Sequence, residues 1–211
     1  MITLKYFQYN TFKIKKGLQD LMSYEHLLKG SQLRDDPYEL IPLREEDLYK
    51  IKEWRNAQID ILRQKKFLDD AEQLHYYRQV VLPTFSQDQP KMMLFSFLKE
   101  KTCIGYGGLV HIDWEHQRAE VSFLVETKRA HCNKTYAEDF KAFLQLLKQL
   151  AFSILPLNRI YTETFDKRPL HISILEKNGF KFEGRMKEHI KFQDTFIDSL
   201  LHGALKSNES S

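Results

Sequence analysis

The chain has 211 residues, 42% of them hydrophobic, with 32 Lys and Arg against 29 Asp and Glu for a formal net charge of +3. That length suits one domain with a small addition, and charges so nearly balanced and so evenly mixed exclude the basic face of a nucleic-acid binder. Only Cys103 and Cys132 are present, far apart, so neither a disulfide framework nor a cysteine zinc site is expected; with no apolar leader or membrane-length apolar run, the expectation is a cytoplasmic protein that makes no membrane contact.

Residues 1–36 read as an N-terminal extension. An edge strand is expected over 2–9, then a helix carrying Leu18, Leu21, Met22, Leu27 and Leu28 that Gly30 ends. Such a piece is expected to pack on the domain or on a partner, as the arm of a homodimer; the alternative is a lid over the substrate. The domain itself runs over 37–205. Residues 38–43 alternate as a first strand, and two short helices are expected over 47–56, with Leu48, Ile51 and Trp54 on its apolar stripe, and over 70–81. Pro83 and the polar run 86–90 mark a loop. Residues 93–98 and 103–112 then read as a hairpin turning at 99–102. A third strand over 119–125 places Ala119, Val121, Phe123 and Val125 on one face and Glu120, Ser122 and Leu124 on the other.

The period then changes. Phe140, Phe143, Leu144, Leu147, Ala151 and Ile154 recur at three- and four-residue spacing, the pattern of a helix packed on a sheet. A buried strand over 160–165, a helix over 170–177 stopped by Asn178-Gly179, and a final antiparallel set over 180–183, 188–192 and 196–205 complete the domain; 206–211 reads as a flexible tail. The class is α/β, a mixed and mostly antiparallel sheet with helices on both sides.

Several short runs fall in a telling order: Leu43-Arg44, Trp54-Arg55-Asn56, Ile104-Gly105-Tyr106-Gly107-Gly108, Leu157-Asn158-Arg159-Ile160, Glu176-Lys177-Asn178-Gly179-Phe180 and Glu183-Gly184-Arg185. None is specific alone. Together, over about residues 38–205, they resemble the GNAT superfamily of N-acetyltransferases, and within it the branch that acetylates ribosomal proteins and amino sugars. The resemblance implies a GNAT-like acyl-CoA fold, acetyl-CoA as cosubstrate with no metal, and direct transfer of acetyl to a primary amine. The absence of a Cys-His or Ser-His pairing in the pattern agrees with direct transfer.

The pyrophosphate loop of that family falls on Cys132-Asn133-Lys134-Thr135-Tyr136-Ala137, where Cys132 replaces the usual cationic or amide residue and Thr135 the first glycine. The resemblance places cofactor contacts at Val125, Lys128, Arg129, Asn133, Lys134, Thr135, Tyr136, Ala137, Arg168 and His171. Amides at the start of a helix favour an anion whatever side chains stand there. The alternative is a set of solvated cations around a weakly binding site, as in a noncatalytic acyl-CoA sensor.

Acetylation of an amine requires that a neutral amine meet the thioester and that a proton be removed. Glu120 is the expected proton acceptor; its alternative is an ion pair with an exposed cation such as Arg118. Relatives place a tyrosine just ahead of Glu-Lys-x-Gly-Phe as acid to the departing thiolate, but Leu175 stands there and cannot donate, which leaves Tyr136 and Ser173 as replacements. Trp54, Arg55, Asn56, His111, Asp113 and His189 are expected to line the acceptor pocket, with Tyr76, Tyr77, Trp114 and Asp198 around them; Trp54 equally suits the core. His111, Asp113 and His116 lack a fixed third ligand, so no metal site is expected. Arg55 and Asn56 offer donors for hydroxyls or phosphate, which favours a small amine such as a nucleotide-linked amino sugar; a protein N-terminus is the alternative acceptor.

Overall fold

In the computed structural model, residues 23–209 are described. The strand expected over 2–9 and the helix start at Leu18 lie outside them. Eight strands form one sheet: β1 (Leu33–Asp35), β2 (Tyr38–Pro42), β3 (Met93–Lys99), β4 (Thr102–Asp113), β5 (Arg118–Val125), β6 (Arg159–Phe165), β7 (Lys181–Phe192) and β8 (Thr195–Leu205). Their order is β1-β2-β3-β4-β5-β6-β8-β7, and every neighbouring pair is antiparallel except β5 with β6. The helices are α1 (Glu25–Leu28), α2 (Leu48–Ala57), α3 (Asp70–Tyr76), α4 (Thr127–Ala130), α5 (Asn133–Lys148) and α6 (Pro169–Lys177). This is the expected α/β class.

The hydrophobic pattern explains the centre of the sheet. β3 is buried over all but its last residue, and it turns into β4 through Glu100 and Lys101, both at positive φ, which matches the right-handed twist of a two-residue hairpin. The glycines of β4 serve packing within the sheet. A Cβ on Gly107 would sit on the Ser122 carbonyl oxygen and 2.8 Å from the Phe143 ring, so glycine there lets α5 lie close to the strands. The stripe Phe140, Phe143, Leu144 and Leu147 of α5 is fully buried, and Phe123 of β5 packs on Phe140 and Phe143 with ring centroids 4.7 and 4.6 Å apart. Each such side chain contributes about 2 kcal/mol through burial. A parallel pair needs a crossover of a dozen or more residues, and α4 with α5 is that crossover from β5 to β6.

Local pitch and pairing differ from the sequence reading in several places. The periodic runs to Val81 and Ile154 close with π-helical turns, Tyr77–Val81 after α3 and Gln149–Ile154 after α5. The hydrophilic stretch after Gly30 contributes the edge strand β1, with Leu33 buried and its two other residues exposed. β7 continues through 184–187 because bulges after Phe182 and after Met186 absorb the irregular pattern. Residues 206–209 form a short 3-10 turn. Ahead of α1, fully buried Tyr24 bonds Thr84 Oγ1 at 2.9 Å and accepts from the Leu94 amide at 3.2 Å; burial pushes its phenol up to about 12.

Strands β5 and β6 stay together for only three pairs, Arg118 with Arg159, Ala119 with Ile160 and Glu120 with Tyr161, and then separate. A bulge in β4 between Val110 and Asp113, with His111 at φ 50, lies opposite this junction, and the added local twist accompanies the parting. From Val121 to Val125 the β6-facing edge of β5 has no strand partner.

Candidate active site

The gap between β5 and β6 opens into a cavity of about 270 Å³. Arg55, Arg63, Gln64, Glu120 and Glu163 line it on the α2 side of the sheet; Phe140, Arg168 and His171 line it on the α5 side, so it passes between the strands. Glu120 reaches it because β-strand alternation turns it away from Val121, onto the face shared with its cross-strand partner Val110. Its side chain is 12% exposed, and its carboxylate accepts from Arg63 Nη2 at 2.8 Å. The cation on Glu120 is therefore Arg63, while Arg118 pairs with Asp113 at 3.2 Å. The same Arg63 nitrogen lies 2.9 Å from Glu163 Oε2 on β6. His111 Nε2 stands 3.8 Å from Glu120, and His189 Nε2 stands 3.8 Å from Glu163.

On the opposite face Arg168 Nη2 donates to the Tyr136 hydroxyl at 2.8 Å, and that hydroxyl is 2.7 Å from His171 Nδ1. A guanidinium only donates, so the phenol oxygen accepts from Arg168; with the phenol proton directed to Nδ1, the neutral His171 ring would carry its own proton on Nε2. Burial holds the His171 pKa well below 6.5, with the charge of Arg168 and then His202 acting the same way. Burial likewise raises Tyr136, partly offset by Arg168. Because the native chain refuses a proton that the unfolded chain accepts, the His171 contribution to stability is complete above pH 6.5 and falls as pH drops below it. His171→Gln is expected to flatten the loss of Tm between about pH 7 and pH 5. An unchanged slope in that window, measured by thermal denaturation, would assign the loss to other groups.

The remaining sequence candidates are distributed as follows. Arg55 lines the cavity, but its guanidinium is bonded to Gln64 Oε1 at 2.9 Å and to the Tyr106 hydroxyl. Asn56 holds the loop ahead of α3 by bonding both the carbonyl and the amide of Leu68, at 2.8 and 2.9 Å. Trp54 and Tyr77 are core residues, Asp113 also caps the His116 amide, and Trp114 donates to the Pro90 carbonyl. Asp198 is bonded to Arg185 at 2.8 Å. Tyr76 is exposed, and Ser173 is half-buried on α6 and is not among the cavity residues. Leu175 is fully buried.

At the start of α5 the first backbone bond within the helix is Tyr136 N to Cys132 O, so the amides of Asn133, Lys134 and Thr135 have no partner inside it. Exposed Lys128 and Lys134 flank them, and Ala137 is half-buried in the next turn. Arg129 is committed elsewhere: it holds both oxygens of fully buried Asp139, at 2.6 and 2.9 Å. The Val125 carbonyl accepts from Gln58 Nε2 at 2.9 Å. Cys132 is exposed, its thiol lowered by the Thr135 hydroxyl and nearby amides, whereas burial pushes Cys103 up to about 12. Thr162 Oγ1, buried and without a hydrogen-bond partner, borders the cavity. The edge of β5 from Val121 to Val125, without a strand partner, and the start of α5, where the Cys132 thiol shares the Lys134 and Thr135 amides, fit an extended acyl-CoA with amide and phosphate groups.

Arg63 and Glu163 were not legible as site residues. Arg63 sits in the basic run Leu62-Arg63-Gln64-Lys65-Lys66, which reads as a solvated loop. Glu163 carried a signal, a carboxylate in the middle of a largely buried strand, a placement such residues rarely take without a partner. Among the described residues, no group of three or more His, Cys, Asp or Glu is placed to hold a metal ion, and no helix is long and apolar enough to cross a membrane.

Residues 40–201 match the family model of the acetyltransferase (GNAT) domain, and the chain belongs to that family. A curated relative, the uncharacterized N-acetyltransferase p20 of Bacillus licheniformis, is 30% identical over 114 residues, which cover 53% of this chain and 61% of that protein, less than two thirds of its length. Among solved structures, spermidine N-acetyltransferase from Vibrio cholerae in complex with CoA and spermine superposes with a TM-score of 0.73 at 20% identity, covering 84% of this chain and 100% of that one. A dodecameric structure of spermidine N-acetyltransferase from the same organism gives 0.65 at 21% identity, covering 83% and 97%. At these identities the likeness establishes the fold.

Proposed function

We propose that this protein transfers the acetyl group of acetyl-CoA to the primary amine of a small cationic molecule, by direct attack within a ternary complex. The observation that carries this reading is the Glu120 carboxylate on the wall of a cavity that opens where β5 and β6 part. Acetyl-CoA would be held by the free edge of β5 and by the amides that begin α5, with Lys128 and Lys134 beside them; it supplies an acyl group already activated as a thioester. Glu120 accepts the proton that the amine must lose before its lone pair attacks. On the other face, where Leu175 has no proton to give, His171 Nε2 and Arg168 are the donors bordering the cavity, and Tyr136 stands behind His171 as a second donor.

The acceptor class is read from the cavity. Two carboxylates, Glu120 and Glu163, line its α2 side, held by Arg63 in the free protein, and favour a cationic ligand that takes the place of that guanidinium. The donors that would serve a nucleotide-linked amino sugar, Arg55 and Asn56, are already bonded within the chain. The test is acetyl-CoA consumption, followed as free thiol, across diamines and polyamines, amino sugars and their nucleotides, amino acids and short peptides, with mass measurement of products. Acetylation of a diamine or polyamine is the expected result. A product confined to peptide α-amines or to sugar amines would overturn the acceptor class, and no calorimetric binding of acetyl-CoA at millimolar concentration would overturn the activity itself.

A further inference from the structure

The cavity already contains a cation of the chain's own. Arg63 extends from the irregular segment between α2 and α3, and its Nη2 bridges Glu120 Oε1 and Glu163 Oε2 at 2.8 and 2.9 Å; Nη1 lies 3.4 Å from Glu120 Oε2. The two acids are fixed on adjacent strands and their side chains are only 12% and 17% exposed, whereas the Arg63 side chain is 45% exposed. The acids are thus part of the rigid sheet, and the cation comes from a loop that reaches over them. Carboxylates this near one another and this well shielded require a positive charge or a proton between them. Glu163 Oε1, buried and without a hydrogen-bond partner, is an acceptor that the guanidinium does not use, with His189 Nε2 3.8 Å away.

We infer that Arg63 is a place-holder for the substrate's ammonium group: it neutralises Glu120 and Glu163 in the free protein and gives way when a cationic acceptor enters. The inference rests on the acetyltransferase reading above and adds how the acceptor subsite is guarded. Exchange of one cation for another keeps a positive charge beside the pair of acids. A neutral acceptor would have to leave them unpaired or leave Arg63 in its path, so the exchange selects for charge. The reacting nitrogen must itself be neutral, so the displacing charge belongs to a second nitrogen of the same acceptor. Glu163 then retains that ammonium while Glu120 is freed to take the proton.

Substitution of Arg63 separates this role from a structural one. A ligand that must first displace an internal group binds with an apparent affinity reduced by the open fraction of the site. If that fraction is about one tenth, Arg63→Gln lowers KM for spermidine about tenfold with KM for acetyl-CoA unchanged, and calorimetric binding of spermidine tightens equally. Arg63→Lys keeps a neutralising charge and so protects folding; a point charge cannot span both acids as the fork does, and an intermediate decrease in KM is expected. A KM for spermidine that is unchanged or raised in both variants overturns the place-holder role and leaves the acetyltransferase reading intact. If spermidine neither binds nor is acetylated by the wild-type protein while acetyl-CoA still binds, the cationic acceptor class fails together with this inference.

Discussion

Glu120→Gln is expected to lower acetyl transfer to an amine by about a hundredfold or more, the usual contribution of a positioned general base, while acetyl-CoA affinity stays unchanged. The amide has the shape of the carboxylate, and Arg63 retains its other partner, Glu163, at 2.9 Å, so the loop over the cavity keeps an anchor. What is lost is proton acceptance. The free edge of β5 and the amides that start α5 are untouched, which is why cofactor binding is spared. Steady-state turnover followed by thiol release, together with calorimetry of acetyl-CoA, makes the separation. Turnover equal to that of the wild type at every pH would remove Glu120 from the chemistry and reduce it to a partner of Arg63.

Asp139→Ala is expected to cost about 3 kcal/mol of stability, the range found when one member of a buried ion pair is removed. Asp139 is fully buried on α5, accepts from Arg129 Nε and Nη2 at 2.6 and 2.9 Å, and accepts from the Tyr38 hydroxyl at 3.0 Å. These bonds tie α4, α5 and β2 together just behind the amides proposed to hold the cofactor's phosphates. Without the carboxylate, the largely shielded Arg129 loses its compensating charge and the Tyr38 hydroxyl its acceptor. For a domain of this size the loss corresponds to a Tm lower by about 10 °C. Asp139→Asn keeps an acceptor for Tyr38 and should lose less. Thermal denaturation of the two variants checks the order; equal and small shifts in both would show that the pair adds little to the fold.

The reassignment of Arg129 shows where sequence reading ran out. Its position beside the phosphate-binding turn suggested an anion contact, and nothing in the chain near it announces that Asp139, ten residues later, takes both of its donors. Arg55 and Asn56 repeat the pattern, since donors that looked available for a ligand are bonded to Tyr106, Gln64 and Leu68. Donor chemistry can be read from a residue type. Whether the donor is already in use depends on which distant side chain folding brings beside it.

By itself the sequence determined the types and order of the longer elements from β2 onward, because the periods of two and near four that separate strands from helices are local properties of the chain, while β1, α4 and the continuity of β7 were not legible in it. It determined the face of β5 on which Glu120 stands for the same reason, and it determined that position 175 has no proton to donate, since leucine offers none in any environment. Only the tertiary structure decided that β5 and β6 part after Glu120, that Glu163 comes to lie beside Glu120, and that a loop arginine fills the space between them. Those facts join segments separated by dozens of residues, and their outcome depends on a bulge in β4 and on the crossover through α5. Strand parting and charge pairing are consequences of packing, and packing is settled by the whole chain at once.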